Sequence, residues 1–216
     1  MSTAEFNRWS LVVPVKMLAR AKTRMSGAAG PHRESLALAV ATDTVAAALR
    51  CDRVRTVIVV TDDPLPAADL AALGAVVVPD APDAGLNPAL VHGAGHGRGL
   101  APGTGVGALS ADLPALRPLE LARVLDAAGR APEAFVPDAA GVGTTLYTAR
   151  PGVRFSPAFG TDSRAAHRAR GARELLVPGT DSVRRDVDTL DDLRAALALG
   201  TGPRTREVAA RLPAFA

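Results

Sequence analysis

Short runs of β-branched and other apolar residues recur along this chain, each ended by proline, glycine or aspartate and separated from the next by an alanine-rich stretch of helical spacing. Ser10 to Val15, Val54 to Thr61, Ala75 to Val78, Val106 to Ser110 and Glu133 to Pro137 read as buried strands. Between them, Leu38, Ala41, Val45, Ala48 and Leu49 mark one helical face, Leu65 to Leu73 a short helix, the residues from about Asn87 the start of another, and Leu116 to Ala128 a fourth. Parallel strands need such crossovers, so the alternation constrains the chain to an α/β fold. After Pro137 the alternation weakens. Thr144 to Thr148 and Glu174 to Val177 read as strands, the second half is expected to hold a hairpin, and Arg164 to Arg170 reads as a helix closed by Gly171. Thr189 with Asp192 gives a capping-box-like start to a last helix ending near Gly200. The glycines and prolines between Gly93 and Gly107 read as a mobile surface loop.

With 216 residues, one core is expected, a single domain over 1–216 with flexible ends at 1–9 and 201–216. Only seven aromatic residues are present, which suits a sheet covered by Ala-rich helices and leaves no stacking platforms for nucleic acid. The net charge of +3 is a mild basic bias. A lone cysteine, Cys51, excludes an internal disulfide and a multi-thiolate zinc site. No apolar run approaches the ~18 residues that span a bilayer. A soluble, cytoplasmic protein is expected, without membrane or nucleic-acid partners.

Four groups of residues could carry chemistry. Asp112, in Ser110-Ala111-Asp112-Leu113-Pro114, follows a buried strand, where open α/β sheets bind ligands. It could hold a hard cation against a phosphate or cap the next helix. Asp186-Val187-Asp188 precedes the last helix and likewise offers either metal ligands or caps. Lys16, Arg20, Lys22 and Arg24 follow the first strand as a phosphate-seeking or merely solvated basic loop, with no GxxxxGK[ST] pattern. Gly141 to Thr145 and Phe159 to Ser163 are turns whose exposed amides could bind anions.

In order and spacing these stretches resemble the 2-phospholactate or phosphoenolpyruvate guanylyltransferase family (CofC/FbiD) of coenzyme F₄₂₀ biosynthesis. The matching segments are VPVKMLARAKTRM from Val13, VVTDDP around Thr61, GLNPAL from Gly85, SADLPAL from Ser110, PDAAGVGTTLY from Pro137, FGTDS and DVDT. The resemblance covers about Leu11 to Leu193 and implies a GT-A-type nucleotidyltransferase fold, a mixed, mostly parallel sheet in a Rossmann-like three-layer α/β/α arrangement. It implies that Lys16, Lys22 and Arg24 meet the phosphates of GTP and that Gly85, Leu86, Asn87 and Ser110 bind the nucleotide. Asp112, with Asp186 or Asp188, would hold Mg²⁺. Thr145, Gly160 and Ser163 would bind the phosphorylated acid, either phosphoenolpyruvate or 2-phospho-L-lactate. The GC-rich flavour of the composition associates with phosphoenolpyruvate, and a homodimer is allowed.

The implied reaction is attack by a phosphate oxygen of the acid on the α-phosphorus of GTP, expelling pyrophosphate. The nucleophile is already an anion, so no general base is needed, and His32, His92, His96 and His167 are expected to be incidental. Two unit charges ~4 Å apart repel by roughly 4 kcal/mol at an effective dielectric of 20, so two polyanions need cations between them. The competing expectations are a nucleotidyltransferase with another acceptor and a non-catalytic GTP-binding regulatory module.

Overall fold

The computed structural model describes residues 8–15, 18, 30–81 and 83–215. Its centre is a seven-stranded sheet of order β3-β2-β1-β4-β6-β5-β7. The strands are β1 (Trp9–Pro14), β2 (Val54–Val60), β3 (Val76–Val78), β4 (Gly105–Leu109), β5 (Glu133–Pro137), β6 (Thr144–Ala149) and β7 (Arg173–Glu174). β1 lies parallel to both β2 and β4, β2 to β3, and β5 to β7. β6 alone is reversed, antiparallel to β4 and to β5, with which it forms the expected hairpin.

Alternation along each strand sorts side chains to two faces. Leu11, Val13, Val57, Val59 and Leu109 face one way, onto Ala41, Val45 and Ala48 of α1 (Arg33–Leu49) and Leu121 and Leu125 of α4 (Pro118–Ala128). Val12, Ile58, Val60, Val106 and Ala108 face the other way, onto Ala89, Leu90 and Ala94 of α3 (Leu86–Leu100). This is the three-layer packing that near-continuous apolar strands require. The short α2 (Pro64–Ala72) is capped by Asp63, whose carboxylate accepts the Leu65 N–H.

α3 corrects the expectation of a mobile loop from Gly93 to Gly107, because the helix runs through that stretch to Leu100. Glycine lowers helix propensity, but here two glycines let the helix lie against the sheet. A Cβ on Gly93 would sit 2.6 Å from Val12 Cγ1, and one on Gly97 3.0 Å from Ile58 Cδ1. Close packing thus overrides a local preference worth about 1 kcal/mol per glycine.

Residues 201–216, read as a flexible end, carry α7 (Pro203–Ala209), and Leu212 is fully buried in a satellite cluster with Leu36, Val187 and Leu193. Asp43 of α1 supplies the N-terminal cap for α7 from across the fold, accepting the N–H groups of Arg204 and Thr205. Trp9 is likewise buried at the start of β1. The remaining helices are α5 (Ser163–Ala169) and α6 (Leu190–Leu199), the latter opened by the expected capping box of Thr189 and Asp192. No helix among the described residues is long and apolar enough to cross a membrane.

Candidate active site

Because β1, β2, β4 and β5 all run the same way, the segments that follow them gather at one edge of the sheet. Asp112 follows β4 there and Asp138 follows β5. The reversed β6 begins at this same edge, so Thr144 and Thr145 approach it from the opposite chain direction. Crevices outside the carboxyl ends of strands are where open α/β folds bind ligands.

Asp112 is not a helix cap, since Arg117 holds the N-cap position of α4. Its loop is fixed from below: Leu113 N–H donates to the buried Thr44 hydroxyl of α1 at 3.0 Å, and the Asp112 carbonyl accepts the Val187 N–H at 3.1 Å. The second contact lays Asp186-Val187-Asp188 along the Asp112 loop. Val187 is fully buried, so the extended segment sends its aspartates away from the core. Thr189 caps α6, so neither Asp186 nor Asp188 fills that role.

The same segment is tied to the far side of the crevice. Thr145 Oγ1 donates to the Val183 carbonyl at 2.7 Å, and Ala139 N–H to the Arg184 carbonyl at 2.9 Å. The Arg184 guanidinium donates in turn to the Pro137 and Asp138 carbonyls. The chain after β7 therefore bridges the ends of β6, β5 and β4.

This bridge sets the Asp186 carboxyl within reach of the charges of three other carboxylates. Burial pushes the Asp186 carboxyl up to about 7, and the charges of Asp112, Asp138 and Asp188 push it the same way. Asp138 itself is turned toward its own loop, where it accepts the N–H groups of Val142 and Gly143. Oxygen donors of this kind suit a hard cation, although no three His, Cys, Asp or Glu side chains among the described residues form a ready-made metal cage. Mg²⁺ characteristically takes one or two carboxylates and completes its shell with substrate phosphate and water, which fits this donor set.

The two substrate walls anticipated from the sequence are joined by Asn87. Its Nδ2 donates to the Phe159 carbonyl at 2.9 Å and its Oδ1 accepts the Phe159 N–H at 2.8 Å. Asn87 thus clamps the N-terminus of α3, entered through Gly85 at φ +101°, to the loop that carries Gly160 at φ +141°. Leu86 and Phe159 pack against one apolar cluster beneath that junction. Ser163, the first residue of α5, is buried at 2 % exposure. Thr145 is 1 % exposed, with its carbonyl accepting the Ser110 N–H and its hydroxyl donated to Val183. To donate to a ligand, that hydroxyl would have to release Val183.

Lys16, Lys22 and Arg24 lie outside the described residues. Leu18, between them, is pinned at both ends: its N–H donates to Asp63 Oδ2 at 2.9 Å and its carbonyl accepts from Arg33 at 3.2 Å. One anchor point of the basic segment is thereby set beside the end of β2.

Two residues of consequence escaped the sequence reading. Asp138 stands directly after β5 as Asp112 stands after β4, and that parallel was the available signal. His167, set aside as incidental, is fully buried and hydrogen-bonded on both ring nitrogens. A single histidine in a short helix carries no pattern that would reveal this.

The fold is one found in solved enzymes, and the match to a family model sets its class as a nucleotidyltransferase. The 4-diphosphocytidyl-2C-methyl-D-erythritol synthase of Anaerococcus prevotii superposes with a TM-score of 0.59 over 89 % of this chain and 95 % of that one, at 11 % identity. More particularly, residues 9–213 match the model of the guanylyl transferase CofC-like family, to which the chain belongs. Phosphoenolpyruvate guanylyltransferases from Thermomonospora curvata and Streptosporangium roseum are 72 % and 61 % identical to it. The alignments cover 96 % of this chain and 91 % of the first relative, and 98 % and 95 % for the second.

Proposed function

We propose that this protein transfers the guanylyl group of GTP to phosphoenolpyruvate, as a step toward coenzyme F₄₂₀. A phosphate oxygen of the acid attacks the α-phosphorus of GTP while the bond from that phosphorus to the bridging oxygen of the β-phosphate breaks. Pyrophosphate leaves and enolpyruvyl-diphospho-guanosine is formed. The acceptor follows from relatives that carry this activity in their names over nearly the whole chain.

The observation that carries the chemistry is the seating of Asp186-Val187-Asp188 along the Asp112 loop, through the Val187 N–H and the Asp112 carbonyl at 3.1 Å, where burial and the neighbouring carboxylates raise the Asp186 carboxyl to about 7. Carboxylate oxygens gathered at the carboxyl ends of the strands suit a hard cation, and two polyanionic substrates can meet only where cations lie between them. Asp112, with Asp186 or Asp188, would hold Mg²⁺. Bound there, the ion supplies charge neutralisation at the α-phosphate and at the departing pyrophosphate.

The chain's own residues bind and orient. Lys16, Lys22 and Arg24 are assigned to the triphosphate, while Gly85, Leu86, Asn87 and Ser110 are assigned to the nucleotide side. Thr145, Gly160 and Ser163 are assigned to the acid. Asn87 sets the distance between the last two groups through Phe159.

The test is pyrophosphate release from GTP and Mg²⁺ with phosphoenolpyruvate, 2-phospho-L-lactate or 3-phosphoglycerate supplied singly, and with ATP in place of GTP. Release with phosphoenolpyruvate alone supports the full assignment. Release with a different acid moves the substrate but keeps the reaction, and GTP binding without release under any condition overturns the catalytic reading.

A further inference from the structure

We infer that His167 is a positioning residue for the phosphorylated acid, one imidazole tying together the three segments that carry Thr145, Gly160 and Ser163. The inference rests on the assignment of those residues to the acid. His167 lies one helical turn beyond Ser163 in α5 and has no exposed surface. Its Nε2 accepts the Ala158 N–H at 2.9 Å, two residues ahead of Gly160. Since Nε2 accepts, the ring proton of the neutral imidazole is on Nδ1, which lies 3.0 Å from Thr144 Oγ1, the neighbour of Thr145.

The ring is held in plane as well as at its edges. It stacks on Tyr147 at 4.7 Å and 18° and on Phe135 at 5.5 Å and 28°, while Phe159 meets it edge-on at 5.4 Å. Phe159 is also the residue gripped by Asn87 from the other side. The chain entering Gly160 is therefore fixed at consecutive residues, Ala158 by His167 and Phe159 by Asn87. Such a two-point grip sets the direction of the Gly160 backbone, which no contact of its own Cβ position constrains. Burial and the nearby Arg170 charge hold the imidazole down to about 4, partly opposed by a hydrogen bond to the Ser163 backbone, so the ring stays neutral at neutral pH.

The two ring contacts can be separated by amide side chains. His167→Gln sets an acceptor oxygen where Nε2 was, and His167→Asn sets a donor where Nδ1 was. In steady-state pyrophosphate release with the full-length protein, the KM for phosphoenolpyruvate is expected to rise about threefold in His167→Gln. A rise of about tenfold or more is expected in His167→Asn, where the buried Ala158 N–H loses its acceptor. The KM for GTP is expected to stay within about twofold in both, a split that a general loss of packing would not produce. Thr144→Val, which keeps the imidazole and removes its side-chain partner at Nδ1, gives the same selective rise if the histidine variants do not fold. Ser163→Ala separates the two levels of the argument. A higher phosphoenolpyruvate KM in Ser163→Ala with none in the His167 and Thr144 variants overturns the positioning role alone. No change in Ser163→Ala overturns the assignment of the acid site beneath it, and equal rises in both substrate KM values overturn the selectivity claimed for His167.

Discussion

Asp186 and His167 are both ionisable groups drawn out of water, and both titrate far from their ordinary values, yet their surroundings differ in kind. His167 is satisfied: both ring nitrogens are hydrogen-bonded, the ring stacks on Tyr147 and Phe135, and the neutral form that burial favours is the form its contacts use. Asp186 is opposed: burial first, and then the charges of Asp112, Asp138 and Asp188, raise its carboxyl. A perturbed group whose environment is complete belongs to the scaffold. One whose environment is in conflict points to something that must arrive from outside.

The largest effect should come from the conflicted side. Asp112→Asn is expected to lower turnover by about 10²–10³-fold, the scale seen when one transition-state electrostatic contact is removed. Its far-ultraviolet dichroism should match the parent; a retained rate would take Asp112 out of the reaction.

Asp186→Asn tests the conflict itself. The folded carboxyl titrates near 7 against 3.8 for the ordinary group, so between those values the folded state binds more protons and its stability falls as pH rises. In metal-free protein at pH 8, the asparagine variant should therefore be the more stable by about 2–4 kcal/mol in urea titration. Added Mg²⁺ should raise the melting temperature of the parent and much less that of the variant. If the variant is less stable than the parent without metal, the crevice is not strained in this way.

His167 should show the opposite slope. It titrates near 4 in the fold against 6.5 for the ordinary imidazole, so the unfolded chain binds more protons between them. Stability should then fall by about 3 kcal/mol as pH drops from about 6.5 to 4, a loss absent from His167→Gln. Parallel curves for parent and variant would show that the ring is not held neutral.

The smallest effect belongs to the link between the two regions. Asn87→Ala removes both hydrogen bonds to Phe159 and should cost about 1–3 kcal/mol of stability. Because the clamp serves both walls, it should raise the KM for GTP and for the acid together by a few-fold, in contrast to the selective effect at His167. A change in only one KM would place Asn87 on that substrate's side alone.

What the sequence disclosed follows the same division. Asp112 and the Asp186-Val187-Asp188 segment were legible because a carboxylate after an apolar strand and an alternating acidic stretch are local patterns, and Thr189 with Asp192 was legible as a cap for the same reason. The seven strands were found as short apolar runs closed by turn residues, with the last shifted from the expected Glu174 to Val177 to Arg173–Glu174. The helix through Gly93 and Gly97 was misread because its reason is a close approach to Val12 and Ile58, residues some eighty and forty positions earlier in the chain. His167 was set aside because its partners Thr144 and Ala158 acquire meaning only after the sheet has formed.

The reversed strand β6 has an outcome for how such an enzyme can be inherited. The turn after β5, β6 itself, the loop through Phe159 and α5 follow one another without interruption from Asp138 to Ala169. The segments assigned to the nucleotide, by contrast, all precede Ala111. Two crossovers, one ahead of β5 and one after α5, would exchange the cassette assigned to the acid while leaving Asp112, the Asp186-Val187-Asp188 segment and the nucleotide segments in place, so new acceptors are open to this fold by recombination as well as by gradual substitution.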